Sequence, residues 1–271
     1  MQSLQSAGIS FLSAVVALGS MTGCAGDQVD ERATQHIEQI ESTHGGSAYD
    51  ALTAIEADFA LEFGALTMNA KMLFTPSVGK ARMDVEGVGT MIFDGESVWV
   101  SPSDAQIPGP PARFHVLTWP YFVAAPFKLN DPGTNHSSTE EMEVSSPLDI
   151  RSGTKITFDA GVGDAPDDWY IAFSDDQGRL DALAYIVTAT KSKEAAESSP
   201  SIIIYADFVE IDGVTISANW HFHHWHPETG IGAQKAGAKL SNIRFVTPPA
   251  DAFVKPEDAV ESTLPALASG S

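Results

Sequence analysis

A single cysteine, Cys24, stands among the 271 residues. No intrachain disulfide can form, so folding does not depend on an oxidising compartment. Positive charge is scarce too: 15 Lys and Arg face 36 Asp and Glu, a net charge of −21. No Lys/Arg cluster exists, so no nucleic-acid partner is expected. Attraction to anionic lipid headgroups is not expected either, and the acidity reads as a solubility device. Catalytic signatures are missing: there is no G-x-S-x-G elbow, no G-x-x-x-x-G-K-[ST] loop and no dinucleotide fingerprint. No catalytic residue and no resident cofactor is assigned, and the chain is expected not to be an enzyme. Paired carboxylates flanking a cleft are invisible in one sequence, so a hydrolase stays open at this point.

Cys24 itself follows an uncharged, mostly apolar stretch, FLSAVVALGSMTG at residues 11–23. This is shorter than the about 20 residues of a membrane-spanning helix and matches a secretory h-region. Met21-Thr22-Gly23-Cys24 resembles the bacterial lipobox, with an aliphatic residue and two small ones before the modified cysteine. Met21 replaces the usual Leu, and no Lys or Arg precedes the apolar run. The plain alternative is an ordinary cleaved signal with an incidental cysteine. The resemblance implies cleavage after Gly23 and diacylation of Cys24. Ala25 is not the Asp of the enteric inner-membrane retention signal. The expected address is the cell envelope: the outer membrane, facing the periplasm and lipid-anchored. Residues 24–30 would be a tether, 31–255 the folded domain and 256–271 a flexible tail.

Hydrophobic residues make up 43% of the chain, enough for a core. Ala33, Ile37 and Ile40 recur at helical spacing over residues 31–44, and Gly45-Gly46 ends that helix. The period then becomes two. Met68, Ala70, Met72 and Phe74 alternate with polar residues, as do Ala81, Met83 and Val85. Asp94-Gly95 before Val98-Trp99-Val100 is a hairpin signal. Short loops between neighbouring strands predict an antiparallel meander. Residues 114–127, FHVLTWPYFVAAPF, interrupt it as an apolar helical insertion, kinked before Pro120 and stopped near Pro126. A polar loop is expected at 131–139, then strands at 141–146, 153–159, 168–174, 180–190, 201–211, 214–226 and 238–247. Residues 191–200 read as a charged hairpin loop.

Several local patterns resemble the LolA/LolB-like lipoprotein-carrier superfamily, and within it an uncharacterised group of bacterial lipoproteins. They are His44-Gly45-Gly46 with Tyr49 and Leu52, Asp94-Gly95 with Trp99, and Arg113-Phe114 through Tyr121 to Pro126-Phe127-Lys128-Leu129. Asp168 with Tyr170, Asp176-Gly178-Arg179-Leu180 and Asp212-Gly213-Val214 complete them. The likeness spans most of residues 31–254. It implies a mainly β fold, a curved antiparallel half-barrel of about 11–12 strands with an N-terminal helix and a helical insertion or lid. The concave side of that fold is apolar and holds acyl chains in the carriers.

The residues give their own, weaker hint of a cavity. Met68, Met72, Met83 and Met91 lie in the first strands, and Met suits a pocket that adapts, or fills a core. The expected lining is Met72, Phe74, Met83, Trp99, Tyr121 and Phe122, with residues 114–127 as plug or lid. The expected partners are a membrane, through the anchor, and a hydrophobic or amphiphilic ligand; the chain is expected to act as a monomer.

Trp220-His-Phe-His-His-Trp-His226 invites a different reading, a Zn or Cu site of a metal-binding protein or metal-dependent enzyme. In a regular strand His221 and His223 face outward while His224 and His226 continue the inner face toward its rim. All four reach one ion only if a bulge intervenes. Packing and surface histidines are the alternative. A third reading is an outer-membrane scaffold with no small ligand. Asp164, Asp167 and Asp168 share a loop that reads as a weak Ca²⁺ site or a solvated turn.

Overall fold

The computed structural model describes residues 30–145 and 149–264. The signal segment, Cys24 and the tether up to residue 29 lie outside the described residues, as does the tail from 265.

Helix α1 (Glu31–His44) buries Ala33, Ile37, Ile40 and His44, the stripe its spacing predicts. Asp30 caps it: one carboxylate oxygen accepts from Ala33 N–H at 3.1 Å. The other accepts from Ser138 N–H at 2.7 Å, which fixes residue 30 to a sheet edge. Gly45, at φ +90°, ends the helix in the left-handed conformation and donates to Ser42 O. The short helix α2 (Gly46–Asp50) follows.

Strands β1 (Ala54–Phe63), β2 (Leu66–Phe74), β3 (Ala81–Val85), β4 (Gly89–Phe93) and β5 (Val98–Ser101) form the predicted meander. Helix α3 (Ala112–Lys128) interrupts it. Next come β6 (Thr134–Ser138), the two-residue β7 (Met142–Glu143) and β8 (Ile150–Arg151), β9 (Thr154–Phe158), β10 (Tyr170–Ser174) and β11 (Leu180–Tyr185). The short helix α4 (Lys193–Glu197) precedes three long strands, β12 (Ser201–Ile211), β13 (Val214–His226) and β14 (Gly230–Val246), and then β15 (Val260–Glu261).

Thirteen of these strands make one antiparallel sheet, in the order β15-β5-β4-β3-β2-β1-β14-β13-β12-β11-β10-β9-β6. The late strand β14 pairs with the first strand, from Ala54 opposite Val246 to Phe63 opposite Ala236. That pairing joins the meander before α3 to the one after it. The edges, β15 and β6, do not pair, so the sheet stays open. It is nonetheless strongly curved. Inner-face Met72, Met83 and Met91 at one end and Tyr170, Tyr185 and Tyr205 at the other belong to a single core with α3. The architecture is the mainly β half-barrel with an N-terminal helix that the resemblance implies.

Several local expectations need correction. Among the described residues the main sheet has 13 strands rather than about 11–12. One extra is β6, in the segment read as polar loop; another is β15, in the segment read as tail, which pairs Val260 with Val100 on β5. The strand expected at 141–146 shrinks to β7, which pairs only with β8 over the outer face. The 180–190 strand ends at Tyr185, β14 starts at Gly230, and α4 forms inside the 191–200 loop. Helix α3 starts at Ala112 rather than 114 and ends at Lys128, near Pro126 as expected, with Pro120 and Pro126 both inside it. A proline in a helix interior costs about 3 kcal/mol. Burial of Val116, Trp119, Phe122, Val123 and Phe127 offsets this, at about 1.5–3 kcal/mol for each large side chain.

Candidate ligand cavity

Helix α3 is apolar on nearly every side, and such a helix must be enclosed. Val116, Trp119 and Val123 pack into the sheet core. Phe114, Leu117, Thr118 and Tyr121 take the other side and form the floor of a cavity of about 400 Å³. The walls come from the two ends of the curved sheet. Phe93 on β4 and Val78 in the β2–β3 turn stand at one end; Phe158 on β9 and Tyr170 on β10 stand at the other. Val162 and Ala165 in the β9–β10 loop, and Leu264 after β15, complete the rim. The cavity therefore occupies the gap that an open sheet leaves between its ends.

Charged residues ring the opening, and each has a partner. Arg113, in the first turn of α3, holds both carboxylate oxygens of Asp164, at 2.5 and 2.9 Å. Its third nitrogen donates to Glu96 O in the β4–β5 turn at 3.2 Å. The hydrogen bond to Asp164 holds the guanidinium above its ordinary pKa. Lys128 pairs with Asp131. Asp168 accepts from Thr188 N–H at 2.6 Å and from its hydroxyl at 2.7 Å. Burial still dominates and pushes its carboxyl up to about 6.

Deeper in, tyrosines line the inner face. Tyr121 stacks on Tyr170 with ring centroids 5.7 Å apart, and Tyr170 lies 6.5 Å from Tyr185. Tyr205 donates to Phe122 O at 3.2 Å. Lys235 contacts the Ser201 hydroxyl and sits 5.9 Å from the Tyr185 ring centre. Burial pushes that ammonium down to about 8.

The fold is LolA-like. A LolA superfamily protein from Nitrosomonas europaea superposes with a TM-score of 0.52 at 9% identity, over 82% of this chain and 97% of that one. A putative outer membrane lipoprotein-sorting protein domain from Vibrio parahaemolyticus gives a TM-score of 0.51 at 8% identity, again over 82% and 97%. No family model matches the sequence, and no curated protein matches it significantly.

Within this LolA-like fold, two of the six expected lining residues, Tyr121 and Phe122, reach the cavity wall. Met72, Phe74 and Met83 point inward but are fully buried in the core, away from the cavity. Trp99 faces the opposite way. Its neighbours Val98 and Val100 take the inward positions of β5, so period two turns the indole outward. There it donates to Asp94 Oδ2 at 2.7 Å and carries Lys255 Nζ 3.9 Å above its ring. Phe93, Leu117, Phe158 and Tyr170 were not foreseen. Phe114, Leu117, Thr118 and Tyr121 share one helical stripe, a signal the sequence did hold.

The four clustered histidines do not converge. His221 and His223 lie on the outer side of β13, and the His223 Nδ1–H donates to Gly232 O at 3.1 Å. His224 and His226 lie past the rim of the core and are exposed; His226 Nδ1 accepts from Glu228 N–H at 3.2 Å. A register shift does occur beside them, but it does not gather the rings. Among the described residues no group of three or more His, Cys, Asp or Glu is placed to hold a metal ion. Asp164 and Asp168 are engaged by Arg113 and Thr188 instead.

Proposed function

We propose that this chain is a lipid-anchored envelope protein that receives a hydrophobic or amphiphilic ligand, a lipid or lipoprotein acyl chain, in the cavity beside α3. The observation that carries the reading is the cavity itself, about 400 Å³ with an apolar floor and facing apolar walls. Each methylene moved there from water contributes about 0.8 kcal/mol. Phe114, Leu117, Tyr121 and Phe122 are its lining residues from α3, joined by Tyr170 on β10. The Arg113–Asp164 pair spans the opening and serves as its latch. The LolA-like fold and the sorting role in the Vibrio protein's description support the same reading.

Acylation at Cys24 would hold the protein at the periplasmic face of the outer membrane. A net charge of −21 supplies no second membrane signal. An anchored protein does not shuttle, so this reading makes it a resident acceptor, working as a monomer. Native mass spectrometry of residues 25–271 tests the binding: copurifying lipid and uptake of a fluorescent acyl lipid are expected. Neither being found in repeated preparations would end the proposal. Palmitate labelling in cells tests the anchor, and labelling that survives Cys24→Ala would contradict it.

A further inference from the structure

The Tyr121 hydroxyl is buried and has no hydrogen-bond partner among the described residues. Two other buried tyrosines are satisfied. Tyr49 donates to Pro76 O at 3.0 Å and Tyr205 to Phe122 O at 3.2 Å. A buried hydroxyl left unpaired is a standing cost, and such a group asks for an explanation. Tyr121 belongs to the wall of the cavity, so a ligand there packs beside its ring.

We infer that Tyr121 is the polar anchor of the cavity, donating its O–H to an ester or amide carbonyl of an otherwise apolar ligand. This rests on the proposal that the cavity holds a lipid, and it names the lipid's class. Three observations select a neutral acceptor. The cations at the opening, Arg113 and Lys128, are already paired with Asp164 and Asp131. Neither is free for a phosphate or a carboxylate. Asp168, which has no cation partner among the described residues, lies near enough to act on the Tyr121 phenol, and its negative charge disfavours an anionic head. Burial also holds the phenol in its protonated form, which donates. Acylglycerols, wax esters and the acyl esters or amide of a lipoprotein anchor carry such a carbonyl. Free fatty acids at neutral pH do not.

Tyr121→Phe removes one oxygen and leaves the ring stacked on Tyr170. The test uses the chain carrying Cys24→Ala, with three 16-carbon probes: methyl palmitate, palmitate and hexadecane, each read by displacement of a fluorescent lipid. The parent is expected to prefer the methyl ester over both others. Tyr121→Phe should weaken the ester by roughly three- to tenfold, the size of one neutral hydrogen bond, and leave hexadecane unchanged. Its ligand-free form should also melt higher, because the unpaired hydroxyl is gone. Equal ester affinity in parent and Tyr121→Phe would overturn the anchor. Tighter palmitate than ester in the parent would overturn the neutral class. No displacement by any probe would overturn the anchor together with the cavity reading itself, whereas the first two results leave that reading standing.

Discussion

Arg113 grips Asp164 at two points, 2.5 and 2.9 Å, and so ties the start of α3 to the β9–β10 loop across the cavity opening. The same guanidinium reaches Glu96 O and lies 5.7 Å from the Phe93 ring centre. One side chain thus links the two ends of an open sheet that share no backbone pairing.

That geometry makes a kinetic prediction. Both partners remain partly exposed, and pairs of this kind contribute about 0–1 kcal/mol. Arg113→Ala should therefore change the melting temperature little. Release of a bound fluorescent lipid, followed by stopped flow, should accelerate, and high salt should mimic the variant in the parent. Release rates that match in both proteins would show that the pair does not gate the cavity.

Filling the space makes the complementary prediction. Leu117 sits on the floor between Phe114 and Tyr121, and Leu117→Trp places an indole where ligand carbon would lie. Lipid uptake should fall at least tenfold while the circular dichroism spectrum stays that of the parent. By contrast, Met83→Ala empties core volume behind α3 and should cost about 2–5 kcal/mol in urea unfolding. The two variants separate cavity from core.

Two buried histidines predict the acid response. His44 donates from Nδ1 to Thr215 O at 2.8 Å and accepts at Nε2 from Leu180 N–H at 3.0 Å. His115 donates from Nε2 to Pro108 O at 3.0 Å and accepts at Nδ1 from the Trp119 indole at 3.0 Å. Each ring is pinned as a neutral tautomer, since protonation would set two donors face to face. Burial lowers both below the ordinary 6.5. A lowered folded pKa means the unfolded chain takes up the proton first. Their stability is present above 6.5 and is lost as pH falls below it. Asp168 acts in reverse: its carboxyl is raised to about 6, so the folded form gains stability as pH falls from there toward 3.8. Urea midpoints from pH 7.5 to 5 should fall in the parent, fall less in His44→Gln, and fall more in Asp168→Asn.

How much of this was legible follows from what each strand buries. β12 matches residues 201–211 because the apolar run Ile202 to Tyr205 stands between Pro200 and the Asp212-Gly213 turn, and β13 matches 214–226 because inward Val214, Ile216, Trp220 and Phe222 recur with period two. β6, Thr-Asn-His-Ser-Ser, was unreadable: an edge strand with no buried apolar residue carries no period-two signal. Its His136 instead contacts Leu129 O at 2.8 Å, a purely tertiary tie. Apolar strand residues read equally as cavity lining or as core, and a core beneath α3 claims Met72, Phe74 and Met83 first. Which inward residues face a void depends on where the helix lies, and no local pattern encodes that. The stripe Phe114, Leu117, Thr118 and Tyr121 was readable, yet only an enclosed helix with a second apolar face explains it.

The last prediction concerns the joint between α1 and the β12–β13 hairpin. Gly45 closes α1 at φ +90°, and a Cβ built there would stand 2.0 Å from Gly213 O. Gly213 itself, at φ +81°, follows Asp212 at φ +48° in the tight turn of that hairpin. A Cβ on Gly213 would meet nothing nearer than Ala48 Cβ at 3.8 Å. The two glycines thus share the strain of a left-handed backbone, but only Gly45 also has a carbonyl in the way. Gly213→Ala should cost about 1 kcal/mol, the conformational share alone. Gly45→Ala adds a clash between two backbones and must push α1 off the hairpin, costing well above about 2 kcal/mol. The helix carries Ile37, Ile40 and the pinned His44, so its displacement should also loosen the His44 bonds to Thr215 and Leu180. Hydrogen exchange at Leu180 N–H reads that directly. It should speed up in Gly45→Ala beyond what the loss of global stability accounts for, and stay near the parent in Gly213→Ala. Equal destabilisation and equal exchange in the two variants would mean that close packing of Gly45 on the hairpin contributes nothing.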